Sequence, residues 1–544
     1  MRDGTQMATD LHFPSSGSGV YPAILMRTPY NKTLLAEYGR FYSEHEYVVA
    51  IQDVRGRYAS EGEWQPFIHE GDDGYDTIEW LADQDWCTGK VGMVGGSYSG
   101  SVQFFAAVRK PPHLTTIIPN ITPAMPFDNM PYEGGALLLG WAVRWTDIME
   151  SARTGYELEQ KTQAAIRENW YERLQGLPVV DLDRKIIGRQ VSYWRTWLMH
   201  DTNDAYWTPV NYLEALTSLD LPVFLQCGWF DGGNRGTKMA YVQLSKGGNS
   251  NVKMIVGPWI HSDRGSRYLG GSDMGPAAEV DLFDKYRRWF DYWLKGDDNG
   301  IMEEPQVQVY LMDSNRWLEA DAYPLPNTSF QRLYLASGND ATSRVRSGKL
   351  QFGSPASQLI YDEYDYDPGN PTPSFYAYMK RNALIQYQHQ VSSRDDILIY
   401  ETESTTALLQ IAGPISVVLY ASSSAKDTDW VVTLYGINDE NELYPIGLTF
   451  GALRARFRKS KSKPELIEPD QIYEYHIDLS HSAITIPAGH RLHLEIASAA
   501  FPEYSRNLNT GGHNEMEKDY VIATNRIYHS EKYPSHVLLP VLEE

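Results

Sequence analysis

The chain has 544 residues, of which 42% are hydrophobic and 12% aromatic, and its formal net charge at pH 7 is −22. This composition excludes an intrinsically disordered chain, and the length is enough for about three or four folded domains. The acidic balance disfavours nucleic acids and anionic membranes as partners, and no apolar stretch reaches the roughly 20 residues of a membrane-spanning helix. Residues 1–14 contain no apolar signal region, so we expect a cytoplasmic protein.

The first 125 residues alternate between strand-like and helix-like segments. Apolar runs that end in turn residues predict strands, and apolar residues at helical spacing predict helices between them. This alternation is typical of a parallel sheet with helices on both faces. The predicted strands are 21–30, 46–56, 90–96 and 114–120, and the predicted helices are 72–84 and 98–110.

Residues 126–215 have a different pattern. They contain three long amphipathic segments, 136–153, 156–174 and 181–200, which predict three or four helices. Six of the 15 tryptophans of the chain fall in this region, and most of them are expected to pack in its core. They are Trp141, Trp145, Trp170, Trp194, Trp197 and Trp207.

The alternation then returns, and it ends near Pro305. Strands that end in loops are predicted at 221–233 and 251–262, and a helix that stops at Gly296 is predicted before the change. Beyond Pro305, apolar and polar residues alternate with a period of two, for example in 473–479 and 491–496, which predicts antiparallel strands with one buried and one polar, exposed face. Many such strands are typical of a sandwich or jelly roll. The predicted domains are 1–125 and 216–304 (α/β), 126–215 (helical insertion) and 305–544 (β).

The cysteines and histidines predict neither a metal site nor a cofactor. Cys87 and Cys227 each flank an apolar run, which favours two buried free thiols over the single disulfide that two cysteines allow. Free thiols fit a reducing compartment. His490 and His493 fall on opposite faces of one predicted strand, so they are badly placed to share a metal.

The segment VGMVGGSYSG (91–100) is an apolar strand that turns abruptly into small residues around Ser97. A strand, a sharp glycine-rich turn and a helix form the setting of a nucleophile elbow, which exposes a serine hydroxyl at the carboxyl edge of a parallel sheet. In the common pattern, Gly-x-Ser-x-Gly, a glycine stands where this chain has Ser99, and Gly100 follows. The alternative interpretation is a tight turn with an idle serine.

A nucleophilic serine needs a histidine base and an acid that orients the base. In α/β-hydrolases the three follow in the order Ser, Asp or Glu, His, on loops after successive strands. Asp231 follows the strand PVFLQCGW and His261 follows the strand VKMIVGPW, which is the expected order and setting. Each residue alone is compatible with an ordinary loop position, so the prediction rests on the three together.

Longer motifs surround these segments. They are MRDG (1–4), RTPYNK (27–32), QDVRGRYASEGEW (52–64), DGYDTIEWLADQDWCTGKVGMVGGSYSG (73–100), GWFDGG (228–233), GPWIH (257–261) and RNLNTG (506–511). Through them, nearly the whole chain resembles the cocaine-esterase-like acyl esterases and their X-prolyl dipeptidyl-peptidase relatives. The resemblance implies an α/β-hydrolase domain with a helical cap and a C-terminal jelly roll. It also implies Ser97 as nucleophile, Asp231 as acid and His261 as base.

The resemblance adds an oxyanion hole that periodicity and spacing do not reveal. The tyrosine of the RTPY motif, Tyr30, is implied to donate its hydroxyl to the substrate oxyanion. The backbone N–H of Tyr98, the residue after the nucleophile, is the second donor. Donors aimed at this position stabilise the charge that develops on the carbonyl oxygen in the transition state.

Two features bear on the substrate. Trp145 is the tryptophan of the insertion that we expect to face the pocket, and an aromatic roof suits an apolar or aryl acyl group. The amino-acid ester hydrolase branch of the family carries carboxylates two and three places after the triad aspartate, which bind the substrate ammonium group. Here those places hold Gly233 and Asn234, so we expect a small neutral acyl ester as the partner molecule.

The leading hypothesis is therefore a serine esterase that works through an acyl-enzyme. The same triad also serves amide hydrolysis, so an acylase or X-prolyl peptidase is the second hypothesis. The third is a binding protein whose jelly roll recognises a ligand such as a carbohydrate, with an idle α/β domain.

Overall fold

Two large β-sheets organise the computed structural model of the chain. Within the part of the chain that it describes, every helix is too short or too polar to cross a lipid bilayer. The described residues are 1–15, 17, 19–124, 126–151, 157, 160, 170–269, 271–338, 340–355, 360–374 and 381–543.

The first sheet is mainly parallel, as the sequence predicts. Its nine strands are β1 (Thr9–His12), β2 (Tyr21–Thr28), β3 (Val48–Asp53), β4 (Cys87–Gly96), β5 (Leu114–Asn120), β6 (Val223–Gly228), β7 (Val252–Gly257), β8 (Val307–Leu311) and β9 (Arg316–Ala320). They lie in the order β1-β3-β2-β4-β5-β6-β7-β8-β9. The seven inner strands pair in parallel, and β1 and β9 pair antiparallel at the edges. The loops that follow β2, β4, β6 and β7 therefore leave the sheet at one edge.

Helices cover both faces of this sheet. Successive side chains of a strand point to opposite faces, so Leu25 packs in one core cluster with Phe105, and Ile24 packs in another with Phe290. The described α-helices are α1 (Ala36–Glu44), α2 (Glu70–Ala82), α3 (Tyr98–Ala107), α4 (Leu139–Ser151), α5 (Trp170–Leu174), α6 (Ser192–Met199), α7 (Asn234–Lys246), α8 (Leu282–Phe290) and α9 (Arg381–Val391).

The described part of the insertion between β5 and β6 is mainly helical, with one short antiparallel hairpin in which Tyr132–Glu133 pairs with Ala136–Leu137. Helix α4 matches the first predicted helix, whereas the predicted helix over 181–200 is divided in two. A π-helical turn, Asp183–Ile187, ends at Gly188, whose φ of 85° is readily adopted by glycine alone, and α6 begins after it. Most of the predicted helix over 156–174 lies outside the described residues, which resume at α5.

The first sheet extends beyond the domain boundary predicted at residue 304. Strand β8 pairs in parallel with β7, and β9 forms an antiparallel hairpin with β8, so the sheet continues to Ala320. The local pattern of this hairpin is the same as that of the antiparallel strands that follow. Only the long-range pairing with β7 assigns it to the first sheet.

The second sheet has eleven strands, and nearly all of its pairs are antiparallel. Its strands are β10 (Thr328–Ala336), β11 (Gly348–Gln351), β12 (Tyr361–Tyr366), β13 (Ile397–Glu401), β14 (Leu409–Ser423), β15 (Asp429–Ile437), β16 (Leu443–Arg454), β17 (Tyr473–Ile486), β18 (Arg491–Ala497), β19 (Ala523–Tyr528) and β20 (His536–Leu542). Their order is β12-β19-β14-β20-β10-β11-β13-β18-β15-β16, with β17 paired to β14.

Strand β18 is buried on both faces, whereas its alternating sequence predicted one buried and one exposed face. Its alternate residues His493 and Glu495, predicted to face solvent, are 0% and 4% exposed. Helix α9 lies over this face, and Tyr387 donates a hydrogen bond of 2.6 Å to Glu495. His493 bridges Glu401 at 2.8 Å and Glu495 at 3.2 Å, so the buried polar groups satisfy one another.

Both cysteines are free and buried, as predicted. Burial raises the pKa of the Cys87 thiol and of the Cys227 thiol, and the nearby Asp231 carboxylate raises that of Cys227 further. Both thiols therefore stay protonated at neutral pH, and they pack as small apolar side chains.

Candidate active site

Ser97 occupies a strained turn between β4 and α3. Its φ of 60° and ψ of −122° lie in a region that non-glycine residues avoid and that is found mainly at functional sites. Gly95 and Gly100 make the turn possible. A Cβ on Gly95 would lie 2.7 Å from Cβ of Ser99, and one on Gly100 would collide with the Thr122 hydroxyl. Gly100, three residues after Ser97, is therefore required because a larger residue would not fit there.

Backbone hydrogen bonds tie together the two loops that follow β6 and β7. The N–H of Trp229 donates to the carbonyl of Gly257 at 2.8 Å, and the N–H of Phe230 donates to the carbonyl of Trp259 at 3.1 Å. These two bonds extend the parallel pairing of the strands past their ends. Asp231, which comes next on the first loop, is thereby held against the second loop.

Asp231 and His261 form a hydrogen-bonded pair on these loops. His261 Nδ1 lies 2.9 Å from Asp231 Oδ2, and the N–H of Gly233 donates to Asp231 Oδ1 at 2.6 Å. A carboxylate only accepts hydrogen bonds, so Nδ1 carries the proton and Nε2 keeps a free lone pair. The Asp231 side chain is fully buried, whereas that of His261 is 54% exposed. The imidazole thus presents Nε2 to an accessible space, as a base requires.

The sheet brings Ser97 to the same edge as this pair, because β4, β5, β6 and β7 are parallel neighbours. The Ser97 side chain lies near enough to the Tyr30 hydroxyl to lower the pKa of that phenol, and among the described residues no hydrogen bond joins Ser97 to His261. Catalytic hydrogen bonds are often long in a free enzyme and tighten when substrate binds, so the arrangement is compatible with the predicted triad.

Tyr30 is held at the end of β2 by its neighbours. Its N–H donates to the Thr28 hydroxyl at 3.1 Å, and Arg57 donates to the carbonyl of Pro29 at 3.0 Å. Trp145 Nε1 donates to the Tyr30 hydroxyl at 3.2 Å. Burial raises the pKa of Tyr30, although the Trp145 hydrogen bond and the nearby Ser97 side chain lower it in part. The phenol therefore stays neutral and keeps a proton to donate.

Tyr98 is anchored by a network that sequence patterns missed. It is the first residue of α3, so its N–H has no acceptor within the helix. Its hydroxyl accepts from the N–H of Phe67 at 2.9 Å and donates to Glu70 at 2.7 Å. Glu70 in turn pairs with Arg27 at 2.8 Å, and both side chains are buried. Arg27 is the first residue of the RTPY motif. This motif therefore supplies both Tyr30 and the arginine that holds Glu70 against the Tyr98 hydroxyl.

Trp145 lies in a stack of aromatic rings at the site. Its ring is nearly parallel to those of Phe67, Trp141 and Trp197, with interplanar angles of 13° or 14°, and only 8% of the residue is exposed. Its polar contact is with Tyr30, and its contact with substrate stays a prediction. Trp197 is fully buried, as expected for a packing residue, and the side chain of Trp170 lies outside the described residues.

A small cavity of about 30 Å³ borders Asp231, with Trp141 and Phe450 among its apolar walls. The carboxyl groups of Glu133 and Glu503 that line this cavity are either paired with a neighbouring cation or neutral. Glu133 pairs with Arg235 at 3.0 Å and accepts from Tyr504 at 2.6 Å. Burial, and secondarily the negative charge of Glu133, raises the pKa of Glu503 well above its ordinary value, so that carboxyl is neutral. The cavity therefore holds no unpaired charge.

The second sheet reaches the acid loop from behind. The Asn234 side chain is hydrogen-bonded to His481, and Lys238 pairs with Asp478 at 2.9 Å. Asn234 and Lys238 belong to α7, which begins three residues after Asp231, and their partners belong to β17. The loop that carries the acid is therefore fixed between the two sheets.

Comparisons with known proteins identify the family of the chain. Models of the X-Pro dipeptidyl-peptidase (S15 family) and of the X-Pro dipeptidyl-peptidase C-terminal non-catalytic domain match residues 3–263 and 299–538. Cocaine esterase from Rhodococcus sp. (strain MB1 Bresler) is 31% identical over 100% of this chain and 97% of that protein.

Two solved structures also resemble the chain over nearly its full length. An aminopeptidase from a marine sediment Thaumarchaeota archaeon is 25% identical with a TM-score of 0.82, covering 100% of this chain and 95% of that one. An α-amino acid ester hydrolase is 26% identical with a TM-score of 0.81, covering 99% and 95%. The chain is thus an α/β-hydrolase with a separate C-terminal domain made mostly of strands. It belongs to the cocaine-esterase-like serine esterases of the X-Pro dipeptidyl-peptidase family.

Proposed function

We propose that this chain hydrolyses carboxylic esters of a small apolar or aryl acyl group through a covalent acyl-enzyme. The observation that carries the proposal is the Asp231–His261 pair at the sheet edge that also holds Ser97 in a strained turn. A nucleophile, a base with a free Nε2 and an acid that orients the base are the three parts that acyl transfer needs.

In the proposed mechanism, Ser97 attacks the ester carbonyl while His261 Nε2 takes the hydroxyl proton. Asp231 holds the ring and stabilises the imidazolium that forms. The developing oxyanion accepts hydrogen bonds from the Tyr30 hydroxyl and the backbone N–H of Tyr98. The proximity of the Ser97 side chain to the Tyr30 hydroxyl supports this role, because it places the phenol beside the reacting oxygen.

The second half of the reaction uses the same groups. His261 gives its proton to the departing alcohol, which leaves Ser97 acylated. A water then loses a proton to His261 and attacks the acyl carbon. The bond from this carbon to the Ser97 oxygen breaks, His261 returns its proton to that oxygen, and the carboxylic acid is released. No cofactor takes part in either step.

A neutral acyl group fits the groups around Asp231. Gly233 has no side chain that could contact a substrate, and the Asn234 amide is hydrogen-bonded to His481. Glu133 is paired with Arg235, so it is not available to a substrate ammonium group. The aromatic stack around Trp145 supports an apolar or aryl acyl group over a charged one.

We extend the proposal to the two peripheral parts of the chain. The region 126–215 acts as a cap, which is supported by α4 and α6 carrying Trp141, Trp145 and Trp197 to the site. The C-terminal region acts as a jelly roll that braces the acid loop. We propose Ala320, the end of the first sheet, as the boundary between the domains.

Covalent labelling tests the nucleophile. A fluorophosphonate should modify the full-length chain once, on the tryptic peptide that carries Ser97, and p-nitrophenyl esters should give a burst of p-nitrophenol equal to the labelled fraction. Ser97→Ala should abolish both signals, and Ser99→Ala, at the neighbouring serine, should keep the label. Labelling of another side chain, or normal turnover by the Ser97→Ala variant, would refute the proposal.

An amide or peptide substrate is the second candidate. It is favoured by the family model, which is named for an X-Pro dipeptidyl-peptidase, and by the similarity to an aminopeptidase. A panel of p-nitrophenyl esters and aminoacyl-proline p-nitroanilides separates the two. A higher kcat/KM for the anilides would overturn the ester assignment and leave Ser97 in place.

A further inference from the structure

A second cluster of ionisable side chains lies outside the catalytic edge. Asp201 follows α6 in the insertion, and His513 and Glu515 lie in the loop between β18 and β19 of the C-terminal domain. Each offers one ligand atom, and these atoms all lie within 4.8 Å of one another. Residues from two parts of the chain that are far apart in sequence thus converge on one point.

Glu515 differs from a surface carboxylate in that one of its oxygens is buried without a hydrogen-bond partner among the described residues. The residue is fully buried. Its Oε1 accepts hydrogen bonds from the Ser505 hydroxyl at 2.8 Å, from the Asn514 amide at 3.1 Å and from the Arg454 guanidinium at 3.4 Å. Its Oε2 is also buried, yet it has no hydrogen-bond partner among the described residues. Leaving a buried carboxylate oxygen unpaired is costly, so this oxygen is suited to a ligand that replaces the missing partner.

His513 has the same property. Its Nδ1 is buried and has no hydrogen-bond partner in the described structure. Its Nε2 lies 3.9 Å from Asp201 Oδ2, too far for a hydrogen bond. The side chains of His513 and Asp201 are 37% and 22% exposed, which leaves a path from solvent to the buried Glu515 oxygen.

The charge around the cluster also favours a cation. Four carboxylates share the neighbourhood with two guanidinium groups. One guanidinium pairs with both Asp429, at 3.0 Å, and Glu515, at 3.4 Å, and the other pairs with Asp427 at 2.7 Å, so two positive charges face four negative ones. A divalent cation would balance the excess negative charge. The carboxylates are Asp201, Glu515, Asp427 and Asp429, and the guanidinium groups are Arg454 and Arg456.

We propose that Asp201, His513 and Glu515 bind one divalent transition-metal cation such as Zn²⁺. One imidazole nitrogen with two carboxylate oxygens is a ligand set for Zn²⁺ rather than for Ca²⁺ or Mg²⁺, which take oxygen ligands. Metal–ligand distances of about 2.0–2.2 Å require the three side chains to close by roughly 1 Å, and solvent completes the coordination.

The bound cation ties the insertion to the C-terminal domain. Asp201 stands on one side of this contact, and the loop that carries His513 and Glu515 stands on the other. A ligand that binds the folded state alone raises the free energy of unfolding. The cluster is separate from the catalytic residues, so the effect of the cation falls on stability and not on the chemical steps.

The test uses the full-length protein after treatment with EDTA and removal of the chelator. Zn²⁺ is titrated in competition with a chromophoric chelator, and thermal unfolding is followed with and without Zn²⁺, Mn²⁺ or Ca²⁺. We expect one Zn²⁺ per chain and a higher Tm with Zn²⁺ than with Ca²⁺. Absence of a stoichiometric site, or a larger Tm shift with Ca²⁺, would overturn the proposal.

Variants assign the site. His513→Gln and Asp201→Asn should each lower the Zn²⁺ affinity by at least about 10- to 100-fold and remove the Tm shift. The control is His476→Gln, because His476 is an exposed imidazole that pairs with a carboxylate, Glu474, at 2.7 Å. It should bind Zn²⁺ like the parent. Ester turnover by each variant verifies folding, and undiminished Zn²⁺ binding by folded His513→Gln protein would refute the site.

Discussion

The two sides of the catalytic edge are held by different parts of the molecule. The nucleophile side is fixed by groups close to the first sheet. Tyr30 is bonded to Trp145, and the Tyr98 ring is clamped by Glu70, which pairs with the buried Arg27. These contacts lie within the α/β domain and its insertion.

The acid–base side depends on the second sheet. Lys238 of α7 pairs with Asp478, and the Asn234 side chain is bonded to His481. Arg235, between them, donates to the carbonyl of Phe450 at 3.0 Å. The C-terminal domain, although it lies far from Ser97 in the chain, therefore supports the loop that carries Asp231. The comparison implies that Ser97, the proposed nucleophile, is preorganised locally, whereas Asp231, the proposed acid, depends on docking of the two domains.

The largest expected effect is that of Asp231→Asn. The asparagine amide cannot hold His261 in the required tautomer, so kcat for a p-nitrophenyl ester should fall by about 10⁴-fold. The same change at the exposed Asp220 is the control and should leave kcat unaltered. A small loss of kcat in the Asp231→Asn variant would mean that another group orients the base.

Tyr30→Phe tests the nucleophile side. The ring remains, but the donor to the oxyanion is lost, so kcat should fall by about 100- to 1,000-fold with little change in KM. Tyr38→Phe, on α1 and away from the edge, serves as control. An unchanged kcat in the Tyr30→Phe variant would remove this residue from the oxyanion hole.

Lys238→Met tests the contact between the domains. The pair with Asp478 is partly buried, since the lysine side chain is 8% exposed and the aspartate 41%. We expect the free energy of unfolding in urea to fall by about 1–3 kcal/mol, with a moderate loss of kcat. Lys246→Met, at the exposed end of the same helix, should change neither. A loss of stability with full kcat would show that the acid loop does not need this brace.

Trp145→Phe should have a smaller effect. The phenyl ring keeps the aromatic stack but cannot donate to Tyr30, so kcat should fall by up to about tenfold because one neutral hydrogen bond is lost. Trp145→Phe combined with Tyr30→Phe should be no worse than Tyr30→Phe alone, because the indole N–H acts through Tyr30. Additive losses would point to a direct contact of Trp145 with substrate.

The last prediction concerns the pH dependence of the free energy of unfolding. Burial lowers the pKa of His481 well below its usual value, and Lys238 lowers it further, against the opposing charge of Asp478. Below about pH 6.5 the unfolded chain binds a proton that the native His481 does not, so stability falls as pH falls, by up to about 1.4 kcal/mol per pH unit. His481→Gln should flatten this dependence between pH 6.5 and 5 in urea unfolding. An unchanged slope would exclude His481 as its source.

Local patterns predicted much of the fold and of the site. Strands and helices from Tyr21 to Asn120 follow the predicted alternation. A strand or helix that buries one face places its apolar residues at a regular short spacing, which is visible in the sequence. The strand–turn–helix around Ser97 was also visible, since its glycines answer to local steric demands. Tyr30 and the backbone of Tyr98 could be identified only by resemblance to a family.

The remaining features depended on contacts between distant segments. Strands β8 and β9 join the first sheet through pairing with β7, and His493 is buried because α9 covers its face. The brace behind Asp231, the link between Trp145 and Tyr30 and the convergence of Asp201 with His513 all join positions far apart in the chain.

The sequence by itself determined most of the strands and helices from Tyr21 to Asn120 and the strand–turn–helix around Ser97, because these follow from short-range periodicity and backbone sterics. Tertiary structure alone decided which distant residues brace the loop that carries Asp231, and which buried polar groups find partners. Those outcomes depend on packing across two sheets, and a spacing along the chain carries no information about a distance through the fold.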